Sequence, residues 1–325
     1  MRATAGPASP PSSSANCARS VGVCVARVLV TGASGFIGTA LAPRLVAAGH
    51  VPRFLVRRPP SPGKPAPSAE IVQGDLGEPA TLAAAVAGTD AVVHLGAATS
   101  AGRLDPAVAY RVNVGGATAL IAAARAAGCT RIVVMSTQHV HLPRPGLYGL
   151  TKRMADRLFL GSGLDVTVLR PSLVYGPGAR GVFVKLAGLV RRLPVIPVIG
   201  PGTWRLRPVF LDDLIDVVVA TLARPELAGR TYDVGGPDLV TYNEFLGAIC
   251  DALGRRCRRV RLPIGVSFVL ASVLERMLAN PPLTVDNVHG ATLEAPCDLR
   301  ALLRDYRPRL TPLVEGLRRT FEEAA

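Results

Sequence analysis

Tyr148 and Lys152 stand four residues apart in Tyr148-Gly149-Leu150-Thr151-Lys152, a spacing that places both side chains on one face of a helix. An ammonium held beside a phenol favours the phenolate. Such a tyrosine can exchange a proton near neutral pH, where an unperturbed one with a pKa of about 10 does so poorly. Alone, the pair reads more readily as a surface pair on an amphipathic helix. Lysine usage tips the balance: of 37 Lys and Arg residues only Lys64, Lys152 and Lys185 are lysines. A primary amine kept among arginines marks a position that the guanidinium fork does not fill.

A second group lies about a hundred residues upstream. The apolar run Val28-Leu29-Val30 ends in Thr31-Gly32-Ala33-Ser34-Gly35-Phe36-Ile37-Gly38, and a helical Ala/Leu pattern follows through Val46. This reads as a strand, a tight turn and a helix start built around a dinucleotide. Gly32 permits the turn, Gly35 lets backbone approach a pyrophosphate, and Gly38 lets the helix sit close to the sheet. The free N–H groups and positive dipole end of that helix then face the phosphates.

Both groups need a scaffold, and the chain supplies one. Apolar strand-like runs at 27–30, 53–56, 91–95, 131–135 and 165–169 alternate with Ala/Leu-rich helical stretches. That alternation predicts an α/β fold, a doubly wound parallel sheet of the Rossmann type. A length of 325 residues and 49% hydrophobic content suit a nucleotide domain plus a smaller lobe. We expect residues 25–176 and 209–235 to form the dinucleotide-binding domain, and 177–208 with 236–325 a smaller C-terminal substrate lobe.

These segments resemble the extended short-chain dehydrogenase/reductase superfamily, specifically its NAD(P)-dependent epimerase/dehydratase group, from about Ala26 to the C-terminus. Gly74-Asp75-Leu76 is similar to that family's adenine-contacting turn, His94-Leu95-Gly96-Ala97-Ala98 to the strand end lining the cofactor, and Asn113-Val114-Gly115-Gly116 to its helix motif. Leu169-Arg170-Pro171-Ser172-Leu173-Val174-Tyr175-Gly176-Pro177-Gly178 resembles its strand leading to the substrate lobe, and Tyr232-Asp233-Val234-Gly235-Gly236-Pro237 its late strand and turn. The resemblance implies that Thr137 orients the substrate oxygen, that Tyr148 transfers its proton, and that Lys152 binds the nicotinamide ribose and lowers the Tyr pKa. It implies cofactor contacts from Gly32, Ser34, Gly35, Phe36, Ile37, Gly38, Asp75, Leu76, Leu95, Gly96, Ala97, Tyr148, Lys152, Pro171 and Val174. Substrate contacts fall to Thr99, Gln138, Arg205 and Arg207.

The family's dehydratases carry Asp-Glu directly after the Thr, and this chain has Gln138-His139 there, which disfavours elimination. Three departures concern the substrate. The loop between Thr137 and Tyr148 is short, and His141 replaces the family's Tyr in the Val-Tyr-Gly that follows the Ser/Thr. The arginine that grips a nucleotide diphosphate would fall on Leu206, between Arg205 and Arg207. In these respects, and in Arg207-Pro208-Val209-Phe210-Leu211-Asp212-Asp213, the chain also resembles the atypical branch related to the NADPH-binding 39-kDa subunit of respiratory complex I. His139 and His141 read as loop histidines.

Cofactor choice rests on the second strand. An acid at its end would bond the ribose hydroxyls of NAD, whereas a 2′-phosphate needs cations. Val56 stands where the acid is expected and Arg57-Arg58 follow, so NADP is expected ahead of NAD. The expected function is NAD(P)-dependent oxidoreduction or epimerisation at a hydroxyl or keto carbon, with a nucleotide sugar as favoured substrate. The alternative is a protein that binds NADP(H) for structure, assembly or sensing.

A formal charge of +14 invites a nucleic-acid reading. The densest basic run, Arg255-Arg256-Cys257-Arg258-Arg259-Val260-Arg261, could meet phosphates or anionic headgroups, but it lacks interleaved aromatics and any nucleic-acid motif. It reads as a solvated strand edge or helix end. The charge favours anionic small molecules, and no nucleic-acid partner is expected. Cys17, Cys24, Cys129, Cys250, Cys257 and Cys297 show no metal-ligand spacing and read as reduced thiols of a cytoplasmic protein. The apolar stretch 266–274 is too short to span a bilayer. Residues 1–24, rich in Ala, Ser and Pro, read as a disordered tail or an upstream mis-assigned start, with a transit segment as the other possibility. A homodimer is the expected assembly if there is one.

Overall fold

The computed structural model describes residues 26–58, 69–99, 104–278, 281, 283–290 and 294–322; the expected tail 1–24 lies outside them. Thirteen strands lie among the described residues: β1 (Arg27–Thr31), β2 (Val51–Val56), β3 (Glu70–Gln73), β4 (Ala91–His94), β5 (Arg131–Met135), β6 (Asp165–Pro171), β7 (Val174–Tyr175), β8 (Val195–Ile199), β9 (Arg205–Leu206), β10 (Val209–Phe210), β11 (Thr231–Val234), β12 (Val240–Thr241) and β13 (Arg258–Leu262). Seven of them form one parallel sheet in the order β3-β2-β1-β4-β5-β6-β11. The chain leaves β1 outward to β2 and β3, then returns to β4 on the other side. Carboxyl ends of β1 and β4 therefore flank a crevice at the reversal, where open α/β sheets bind ligands.

Twelve α-helices are described: α1 (Phe36–Ala47), α2 (Leu82–Val86), α3 (Pro106–Ala109), α4 (Gly116–Ala126), α5 (Gly146–Leu160), α6 (Val182–Arg192), α7 (Leu211–Leu222), α8 (Tyr242–Ala252), α9 (Ile264–Met277), α10 (Val285–Gly290), α11 (Arg300–Tyr306) and α12 (Leu313–Glu322). The sheet is covered on both faces because its strands alternate with a period of two. Val28 and Val30 pack on one side with Leu41 and Leu45 of α1 and Leu214 and Val218 of α7. Leu29 faces the other side with Leu120 of α4 and Phe159 of α5. A third cluster, with Tyr175, Phe183, Ile196, Phe210, Phe245 and Leu317, gathers α6, α8 and α12 around the short strands. Leu299 and Leu302, from the C-terminal part, join the first cluster.

One strand and one detail of a helix were not expected from the sequence. β3 is an edge strand whose residues are largely exposed, so it carries no apolar run to betray it. Residues 106–126 form one helix of 21 residues, long and apolar enough to cross a membrane, whose middle turn Tyr110–Gly115 is π-helical. It is a core helix: Ala109, Ala117, Leu120 and Ala124 are fully buried against the sheet.

Candidate active site

The glycine loop builds the first wall. Gly32 takes a φ of 70°, and a Cβ there would come 2.7 Å from Gly96 N, so both turn and neighbour demand glycine. Gly35 N–H closes the loop on Gly32 O at 2.9 Å. At Gly38 a Cβ would lie 2.5 Å from Gly32 O and 2.6 Å from Ala33 Cα, which fixes the close approach of α1. Gly35 is different, because its Cβ would meet only Gly32 O, at 3.0 Å. The space above it is otherwise open. α1 starts with no side-chain cap and no acid in its first turn, leaving its N–H groups and dipole to an anion. Ser34, Phe36 and Ile37 ring this opening, and Arg180 reaches across to donate to Ser34 O at 3.1 Å. The cradle thus fits a dinucleotide pyrophosphate.

β4 supplies the second wall. Gly96 N–H donates to Thr31 Oγ1 at 3.1 Å, and the same oxygen pairs with His94 Nδ1 at 2.9 Å. Burial, helped by the Lys152 charge, pushes the His94 pKa down to about 3, so the ring is neutral. Leu95 and Ala97 flank Gly96, over which buried Leu76 closes. Asp75 spends Oδ1 on the Gly77 N–H at 2.7 Å, shaping its own turn. Asn113, in the π-helical turn, accepts from Ala98 N at 2.7 Å and donates to Ala98 O and to Thr151 Oγ1, both at 3.0 Å. One amide therefore ties the β4 loop to α5. At the end of β2, Val56 is half-buried, and Arg57 and Arg58 are exposed. Pro171 ends β6 in the core, with Val174 packed nearby.

Tyr148 and Lys152 both lie on α5, over the end of β5. Lys152 is buried, and its Nζ donates to Met135 O at 2.7 Å. Burial lowers its pKa, opposed by the carboxylate of Asp156 one turn on, which itself pairs with Arg170 Nε at 3.0 Å. Tyr148 stands edge-on to His139, with ring centroids 6.3 Å apart. The packing round its hydroxyl, then the charges of Asp156 and Asp286, push its pKa up to about 12. The sequence predicted that Lys152 would lower it. In this structure the amine is committed to a carbonyl, and burial of the phenol, then the two carboxylates, raise the pKa instead. Thr137, two residues past β5, caps the 3₁₀ turn Gln138–His141.

The predicted substrate contacts are scattered. Gln138 is buried beside Cys297, whose thiol burial raises to about 11. Cys297 in turn crowds Gly235 together with Arg207. Arg207 donates to Pro237 O at 2.8 Å, whereas Arg205 grips Glu294 at 3.2 Å. Thr99 is exposed. The two loop histidines have specific partners: His141 Nε2 meets Asp233 Oδ1 at 2.8 Å, and His139 lies between Tyr148 and Gly290.

The sequence reading missed Asp286. From α10 it accepts the N–H of Leu147 at 2.9 Å and of Tyr148 at 3.2 Å, capping α5 where Gly146 has a φ of 65°. Nothing near Asp286 in sequence announces this. Asp156 was readable, since it follows Lys152 by one helical turn. Among the described residues no group of three metal-binding side chains gathers.

A doubly wound sheet with a glycine cradle and a Tyr/Lys pair at the neighbouring strand ends defines a dinucleotide-dependent enzyme class. The sequence profile of the NAD dependent epimerase/dehydratase family matches residues 28–235, and the chain belongs to that family. It is 30% identical to a ceramide reductase of Caulobacter vibrioides, over 90% of each chain. It is 31% identical to a 3 beta-hydroxysteroid dehydrogenase/Delta 5-->4-isomerase of Mycobacterium tuberculosis, over 73% of this chain and 72% of that one. Among solved structures, MoeE5 in complex with UDP-glucuronic acid and NAD superposes with a TM-score of 0.73 at 26% identity, covering 92% of this chain and 98% of that one.

Proposed function

We propose that this protein catalyses NADP(H)-dependent hydride transfer at a keto or hydroxyl carbon, running as a ketone reductase. The observation that carries the reading is the gathering of Thr137, Tyr148 and Lys152 at the end of β5, two strands from the glycine cradle. When bound, the nicotinamide exchanges hydride with the substrate carbon. Lys152, with one N–H on Met135 O, keeps two donors for a ribose. Tyr148, with its pKa near 12, is protonated at neutral pH, the form that gives a proton to the oxygen of a ketone being reduced. Thr137, two residues past β5 at the start of the turn Gln138–His141, would orient that oxygen. Arg57 and Arg58, after Val56, favour the 2′-phosphate cofactor; the MoeE5 neighbour was solved with NAD.

For the substrate, the reading favours a ketone on an apolar scaffold. Arg205 and Arg207 already have partners within the chain, and two relatives are named for a ceramide and a steroid. A nucleotide sugar, the class expected from sequence, is supported by the UDP-glucuronic acid in MoeE5 and by Arg207, which crowds Gly235 together with Cys297, the neighbour of Gln138. The test is NADPH oxidation with long-chain ketones, ketosteroids and UDP-, GDP- and dTDP-sugars. Tyr148→Phe should keep cofactor affinity while turnover drops by roughly 10²–10⁴-fold. No turnover with any substrate, and no effect of Tyr148→Phe, would leave the cofactor-binding role instead.

A further inference from the structure

α9 is amphipathic in the wrong sense for a surface helix. Its inward residues are Ser267 and Ala271, both fully buried. Outward, Val266, Val269, Leu270, Val273 and Met277 follow one another at helical spacing, with Val269 66% and Met277 76% exposed. Ile264 and Leu278, at the two ends of the helix, are exposed as well. Such a continuous exposed patch marks an interaction site, whereas scattered exposed apolar residues need no explanation.

The neighbouring strand says what it interacts with. Arg255, Arg256, Arg258, Arg259 and Arg261 are all exposed, and none is in an ion pair among the described residues. No Asp or Glu occurs between residues 252 and 274. Where the basic strand turns into the helix, an open depression of about 370 Å³ is lined by Gly200, Pro201, Arg261, Leu262, Pro263 and Ile264. A cationic rim therefore adjoins an apolar strip, complementary to anionic headgroups above acyl chains. Fourteen residues make a helix of about 21 Å, too short to span the roughly 30 Å core of a bilayer but suited to lying in its surface.

The same helix is wired to the candidate site. Phe268 stands edge-on to His289 at 4.9 Å between centroids, and Glu275 Oε1 accepts the Val285 N–H at 3.0 Å. Those two contacts hold α10, whose Asp286 caps α5 at Tyr148. We infer that α9 and β13 form a docking surface for anionic lipid bilayers, which seats the Tyr148 site at the membrane surface. The docking surface stands on its own observations, apart from the substrate reading above.

The test is co-sedimentation of the full-length protein with phosphatidylcholine vesicles with and without phosphatidylglycerol. Binding should need the anionic lipid and weaken as salt rises. Each arginine near such a surface is worth roughly a fivefold change in partition, so Arg256→Ser with Arg259→Ser should cost about 25-fold. Val269→Asp should cost at least about tenfold, whereas Val314→Asp, at a still more exposed apolar site on α12, should cost nothing. Circular dichroism and NADPH titration check that each variant is folded. Equal partition into neutral vesicles, insensitivity to these variants, or a dimer in solution that Val269→Asp dissociates would overturn the proposal. The last result would make this face a protein interface.

Discussion

The cofactor cradle and the substrate side of the site are built on opposite principles. Around Gly32, Gly38 and Gly96 the spacing is set by backbone and buried side chains lying where any added Cβ would fall. Across the site, Tyr148, Gln138 and Arg207 are held by reaching side chains and by segments far along the chain: Asp286, Cys297 and Pro237. Backbone packing tolerates almost no variation, whereas side-chain struts can be exchanged one at a time. A cofactor shared across a family suits the first construction, and substrates that vary between relatives suit the second.

Gly35 gives the hardest test of the rigid half. Gly35→Val should abolish cofactor binding in a protein that still folds, because its side chain would enter open space and not the core. Fluorescence titration with NADPH alongside a thermal melt reads both quantities, and retained binding would mean the loop serves something else. Lys152→Met should follow closely, weakening NADPH and lowering turnover together, since the buried amine braces β5 and is the group proposed to hold the ribose. Arg57→Ala should cost NADP about 1.5–3 kcal/mol and leave NAD unchanged, read as the ratio of two dissociation constants. Equal losses for both cofactors would remove the 2′-phosphate assignment.

A pH experiment sharpens the contrast. His94 is neutral when folded, with a pKa near 3, but titrates near 6.5 when unfolded. Between those values the unfolded chain binds more protons, so stability is full above 6.5 and falls as pH drops toward 3, by up to about 1.4 kcal/mol per unit. Melts from pH 7 to pH 4 should show this slope, and His94→Gln should flatten it. The smallest effect belongs to the adaptable half: Asp286→Asn keeps one acceptor for the α5 N–H groups and removes a carboxylate that raises the Tyr148 pKa. The alkaline limb of the rate profile should move to lower pH with only a few-fold change in turnover. An unmoved limb would show that Asp286 is purely a cap.

Legibility followed the same divide. The strand runs, the glycine loop and the Tyr/Lys spacing were readable because each is local, a matter of period and of what glycine alone permits. β2 came out two residues longer than its apolar run because Pro52 and Val51 pair with Val28 and Arg27 of β1. What escaped was long-range: the carboxylate of Asp286 is 139 residues from the amide of Leu147. The direction of the Tyr148 shift escaped for the same reason, since burial and distant carboxylates are invisible in a five-residue motif. The arginines of β13 were visible as a run, but the apolar face beside them emerged only when α9 was seen to bury its serine and alanine.

The clasp of Asp286 on α5 also sets a schedule for the protein's birth. At roughly 5–20 residues per second, a ribosome that has just made Lys152 needs roughly 7–27 s more to deliver Asp286. Until then the start of α5 lacks the carboxylate that its amides accept in the finished protein. The glycine loop therefore leaves the ribosome well before the carboxylate that pins the helix bearing Tyr148. The order of the sequence thus makes the capping of the Tyr148 helix one of the later contacts to become possible.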